Sequence, residues 1–148
     1  MPSSAQDFYL GNPNLKKVGT EIEFTQEQIQ EYLKCKADPV YFAMNYIKII
    51  SLDEGIVPFK MWDFQQELIE SFHENRFNIA KLPRQTGKST TCVSYLLHYI
   101  LFNDNVNVGI LANKLSTARD LLGRLQLAYE QLPLWLQPVS YTHLTLPT

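Results

Sequence analysis

Apolar positions recur at helical spacing over the first half of the chain. Thr25 with Gln28 three residues on has the form of a capping box, and Ile29, Tyr32 and Leu33 follow at one-turn intervals, predicting a helix near residues 26 to 36. Asp38-Pro39 reads as a cap followed by proline at the first helical position, with Val40, Ala43, Met44 and Ile47 as the next stripe. Asp53-Glu54-Gly55 marks a turn, and Ile56 to Phe59 a short extended piece. Asp63 is placed to cap a third helix, its face Phe64, Leu68 and Phe72, ending near Glu74-Asn75.

Beyond Asn75 the pattern changes. Phe77 to Leu82 reads as a strand, followed by a polar loop and a helix reaching Phe102, with Val93, Leu96, Leu97 and Ile100 on its buried side. Val106 to Ala112 is largely apolar, as a parallel strand covered on both faces should be. Ser116 is the expected cap of a last helix whose Leu115, Ala118, Leu121, Leu122, Leu125, Tyr129 and Leu132 keep the period up to Pro133. Strand, helix, strand predicts an α/β fold with parallel central strands and a right-handed crossover. Two strands leave an open edge, so the chain reads as part of a larger sheet.

Composition narrows the class. With 148 residues, 45% hydrophobic and 12% aromatic, the chain can form a globular core. It has no apolar run long enough to span a membrane and no leader pattern at Met1 to Asp7, which places the expected location in the cytoplasm. Cys35 and Cys92 lack metal-type spacing and read as buried free thiols. Thirteen basic against fifteen acidic residues, a net charge of -2, give no broad nucleic-acid footprint.

The chemistry concentrates in Leu82-Pro83-Arg84-Gln85-Thr86-Gly87-Lys88-Ser89-Thr90, between a predicted strand and a predicted helix. Backbone N–H groups from Thr86 to Ser89 at a helix N-terminus suit phosphate oxygens, and Gly87 permits close approach. Lys88 supplies a cation for β and γ phosphates; the Ser89 hydroxyl is the expected Mg²⁺ ligand, with Thr90 next to it. The full phosphate-loop pattern would place glycine where Leu82 stands. The competing reading is an ordinary helix start, with Gly87 as a turn residue and Ser89 as its cap.

Pro83 to Ser89 resembles the variant Walker A loop of large terminase subunits, the DNA-packaging motors of tailed bacteriophages. That family commonly has Arg-Gln before x-Gly-Lys-[Ser/Thr] and lacks the first glycine. Similarity to the T-even type runs from Asn14 to Pro138, through Tyr41-Phe42-Ala43, Asp63-Phe64-Gln65, Val108-Gly109-Ile110-Leu111-Ala112, Leu132-Pro133 and Leu136-Gln137-Pro138. The resemblance implies a RecA-like ATPase that binds ATP with Mg²⁺ and drives double-stranded DNA into a procapsid, in the cytoplasm of an infected bacterium. It also implies a homo-oligomeric ring, a portal protein and a small terminase subunit as partners, and no membrane.

Carried over residue by residue, Arg84 acts in cis on the γ phosphate beside Lys88, Gln65 hydrogen-bonds adenine, and Gln85 and Thr86 shape the loop. Asn113-Lys114 stands where similar motors couple to DNA, with Arg119 and Arg124 on the following helix; a solvated turn and face is the plainer reading. No Asp-Glu pair ends the segment after Val106, so the Walker B aspartate and water-activating glutamate are missing, as is the family's nuclease domain. A helicase-like translocase and a non-catalytic nucleotide-binding module are the alternatives.

The resulting organisation is an extended or disordered arm at 1–20, an N-terminal helical subdomain at 21–60 and the first half of a P-loop ATPase domain at 61–138. Residues 139–148 back-translate, codon by codon, to a transposon-type sequencing adaptor and are not counted as native.

Overall fold

The computed structural model describes residues 12–15 and 23–137. Helix α1 (Gln26–Ala37) starts at the expected capping box: the Thr25 hydroxyl accepts from the Gln28 amide at 3.2 Å, and the Gln28 side chain accepts from the Thr25 amide at 3.1 Å. Asp38 ends α1 and caps α2 (Pro39–Tyr46), its carboxylate accepting from Val40 and Tyr41 amides at 2.9 and 3.1 Å. These reciprocal bonds satisfy donors that a bare helix start leaves open.

The buried face of α1 differs from the expected one. Ile29 and Leu33 are 48% and 57% exposed, whereas Cys35 is fully buried. Of the expected stripe Tyr32 does pack inward, its ring 5.1 Å from that of Phe102, and polar contacts add to it, the Glu31 carboxylate accepting from the Tyr41 and Tyr46 hydroxyls at 2.5 and 3.0 Å. Periodicity marks an amphipathic helix but does not say which neighbour reaches it.

Ile47 leaves the helix and opens a hairpin whose first strand was not expected and whose second is the expected extended piece from Ile56. Strands β1 (Lys48–Ser51) and β2 (Gly55–Pro58) pair antiparallel, Ile49 opposite Val57 and Ser51 opposite Gly55. The expected turn joins them, with Gly55 at φ +76°. Helix α3 (Asp63–Glu74) begins one residue earlier than expected, with Trp62 at the cap position and Asp63 already in the first turn.

Helix α4 (Lys88–Phe102) packs on α2 and α3 and on α5 (Leu115–Glu130). At the centre, the Phe42 ring lies 5.5 Å from His98 and 5.6 Å from Phe102, and a His98 ring nitrogen bonds the Cys35 carbonyl at 2.8 Å. Lys114 rather than Ser116 occupies the α5 cap position, and Leu115 is exposed while Leu125 and Tyr129 are buried. A 3-10 turn (Leu134–Leu136) follows, and the Gln137 amide donates to the Asn14 carbonyl beside buried Leu15. Of residues 12–15 of the expected arm Leu15 is thus buried, Pro13 and Asn14 staying exposed; the rest of the arm, and 139–148, lie outside the described residues.

The fold is α/β in the coarse sense of containing both elements, and the expected pair of parallel strands is not formed. The sheet among the described residues is the antiparallel hairpin, and neither 77–82 nor 106–112 has a ladder partner there. Phe77, Ile79 and Leu111 are 83%, 102% and 98% exposed. An apolar run shows what a segment would bury, but a strand exists only where a neighbouring backbone takes up its N–H and C=O groups.

Candidate functional site

The loop ahead of α4 is shaped by two left-handed residues, Gln85 at φ 61° and Gly87 at φ 70°. The Thr86 hydroxyl donates to the Pro83 carbonyl at 3.0 Å and closes the turn. Gly87 occupies the cap position of α4 without a side-chain cap, and the Thr91 amide bonds its carbonyl at 3.0 Å. The N–H groups of Lys88, Ser89 and Thr90 therefore lie in the first turn, without intrahelical acceptors, at the positive end of a fifteen-residue helix. Ser89 sits within this turn and does not cap the helix, contrary to the ordinary-helix alternative.

Lys88 folds back over the loop, its ammonium donating to the Leu82 and Pro83 carbonyls at 3.0 and 3.1 Å. An ammonium has three donors, so one remains. Arg84 and Gln85 are exposed, Ser89 and Thr90 half-buried, and Arg84 makes no ion pair among the described residues.

Gln65 reaches the same loop. Its side-chain nitrogen donates to the Thr86 carbonyl at 3.1 Å, and its oxygen accepts from the Trp62 amide at 2.9 Å. The side chain is buried, and a Cβ added at Gly87 would lie 2.6 Å from its nitrogen. Gly87 is thus required twice, for its positive φ and for this approach. One N–H and one lone pair of the Gln65 amide are left for a further partner.

A cavity of about 330 Å³ adjoins the loop, and its lining includes the aromatic Phe59, Trp62 and Phe64 with Ile49 and Lys60 as well as Gln65, Gln85, Thr86, Gly87 and Thr90. The structure brings Gln65, Gln85, Thr86, Gly87 and Thr90 together there; Arg84, Lys88 and Ser89 adjoin the loop without lining this cavity. Sequence reasoning missed the aromatic wall, although Phe59, Trp62 and Phe64 flank Gln65 in the chain and were a readable signal. No protein-family model matches the chain.

Other expected residues fall elsewhere. Asn113, Lys114, Arg119 and Arg124 are exposed on α5 and the turn before it, Arg124 at the cleft that α5 forms with α4 and β1. Cys35 and Cys92 are free thiols, as expected, but only Cys35 is buried, Cys92 being half-buried. Burial pushes the Cys35 thiol up to about 12 and raises that of Cys92, so both stay protonated at neutral pH. Among the described residues no group of three or more His, Cys, Asp and Glu is arranged to hold a metal, and no helix is long and apolar enough to cross a membrane.

Proposed function

We propose that the chain is the ATP-binding part of a viral DNA-packaging motor of the large terminase type. One observation carries the reading: α4 begins on a glycine-hinged, solvent-open turn with an uncapped N-terminus and Lys88 folded across it. A triphosphate is the natural occupant, because three first-turn amides, the helix dipole and a flexible ammonium converge where the loop is least covered. Lys88 neutralises the β and γ oxygens, and Arg84 meets charge on the γ phosphate from the exposed side. Ser89 suits Mg²⁺ through its hydroxyl, the remaining ligands being nucleotide oxygens and water.

The adjoining cavity is the base subsite in this reading. Aromatic rings supply faces for a purine, and the spare N–H and lone pair of Gln65 match the adenine amino group and a ring nitrogen. The unpaired segments 77–82 and 106–112 are central strands of a parallel sheet whose other strands belong to the intact motor, consistent with their apolar composition and exposure. Double-stranded DNA, a portal protein, a small terminase subunit and a ring of like subunits are the partners proposed for that motor.

The chain itself binds ATP without sustained turnover, since it carries no Asp-Glu pair after Val106 to activate water. Calorimetric titration with ATP and Mg²⁺, repeated with Lys88→Ala, tests the reading. Binding that the substitution removes supports it; equal heats from both proteins, or sustained Mg²⁺-dependent hydrolysis, contradict it.

A further inference from the structure

A second cleft, of about 360 Å³, lies between β1, α4 and α5. Its walls include Ile47 to Ile50 of the hairpin, Thr90 and Val93 of α4, and Arg124 and Leu127 of α5. Two of the residues around it are cationic, Lys48 and Arg124, and no acidic residue lines it. Neither cation is ion-paired among the described residues, where the salt bridge is Lys34 with Glu31.

The register of the hairpin says what its open edge offers. Phe59 donates its amide to the Ile47 carbonyl at 2.9 Å, so Ile47 and Phe59 face each other as a hydrogen-bonded pair. In an antiparallel ladder such pairs alternate, which makes Ile49 with Val57 the next bonded pair. Lys48 and Ile50, opposite Pro58 and Ile56, then turn their N–H and C=O groups away from β2. The sheet has two strands, so no third strand takes these groups up among the described residues. An extended backbone on that edge would meet donors and acceptors two residues apart, with apolar walls beside them and two cations to read charge.

We propose that the outer edge of β1 and the adjoining cleft form a docking site for an extended segment of a partner protein in which acidic residues alternate with apolar ones. The segment adds as a third strand on Lys48 and Ile50. An aliphatic side chain enters the cleft against Ile49, Val93 and Leu127, while a neighbouring carboxylate meets Lys48 and Arg124. The main-chain edge favours a peptide over a nucleic acid, whose phosphates would use the cations alone. Thr90 and Ile49 also border the cavity beside the phosphate loop, so the docked strand lies against the first turn of α4. The docking site stands independently of the nucleotide reading.

The probe is an acetylated, amidated pentapeptide of alternating valine and glutamate, titrated into the isotope-labelled full chain, with a valine-lysine peptide as control. The expected result is shifts and slowed exchange at the Lys48 and Ile50 amides with the acidic peptide only. Lys48→Glu with Arg124→Glu lowers its affinity at least about tenfold and lets the lysine peptide bind instead. Ile50→Pro removes an outward N–H without touching the β2 ladder and abolishes binding while the hairpin persists. Retained binding in either variant, amide changes that map elsewhere, self-association of the chain through β1, or no response in the wild-type chain overturns the proposal. If a variant fails to fold, the wild-type amide map alone decides.

Discussion

The helical centre and the loop-side chain solve the problem of polar groups in opposite ways. Around Phe42 and His98, apolar rings close on one another, His98 finds the Cys35 carbonyl, and no buried side-chain polar atom among the described residues lacks a partner. Around residues 77–90 and 106–112, N–H groups stand open and large apolar side chains face solvent. The first region holds the fold together through its own contacts; the second leaves backbone and apolar groups to solvent. Stability and ligand binding should therefore respond to different substitutions.

The largest effect belongs to the centre. Phe42 is fully buried and its ring meets His98, Phe102 and Tyr46, so Phe42→Ala should destabilise the fold by about 3–5 kcal/mol, read as a lower urea midpoint. A cost near zero would show that the aromatic cluster is not the core. Next comes Lys88→Ala, expected to weaken Mg²⁺-ATP binding by about 1.5–3 kcal/mol, the range for hydrogen bonds to charged groups, with an unchanged urea midpoint. If stability and affinity fell together, the division between the regions would fail.

Gly87→Ala should cost about 1–2 kcal/mol, because its φ of 70° is left-handed and the new Cβ meets Gln65. In a double-mutant cycle with Gln65→Ala, only the part due to the clash should be relieved. Full additivity would place Gln65 away from the loop. The smallest effect is one of pH. Burial, the leading cause, holds the His98 ring below its ordinary value near 6.5, so the unfolded chain takes up a proton before the folded one as pH falls. The stability His98 contributes is present above that ordinary value and declines as pH drops below it. Urea midpoints between about pH 7.5 and about pH 5.5 should fall in the wild-type chain and fall less in His98→Gln.

The sequence disclosed most where structure is local. Thr25 with Gln28 and Asp38 with Pro39 act through the backbone of their own turn, so the first two helix starts were readable without tertiary knowledge. The loop from Pro83 to Ser89 was readable for the same reason, since Gly87 and Lys88 reveal their conformation and charge by type. Less was legible where a distant partner decides. Ile29 and Leu33 kept the right period but face outward, while Tyr32, Cys35 and Glu31 make the contacts of α1 with its neighbours. Residues 77–82 and 106–112 carry strand composition without strand neighbours. Gln65 was singled out as a base contact, yet its hold on the Thr86 carbonyl depends on how α3 approaches the loop, which spacing does not encode.

We propose the turn around Gly87 as a triphosphate cradle. Amide chemical shifts of the labelled chain during titration with Mg²⁺-ATP test it most directly. The predicted outcome is saturable change concentrated from Thr86 to Thr90, extending to Gln65 and Trp62, reproduced at the loop by pyrophosphate and lost in Lys88→Ala. Saturable change elsewhere with silent loop amides, or a response indifferent to Lys88, would contradict it.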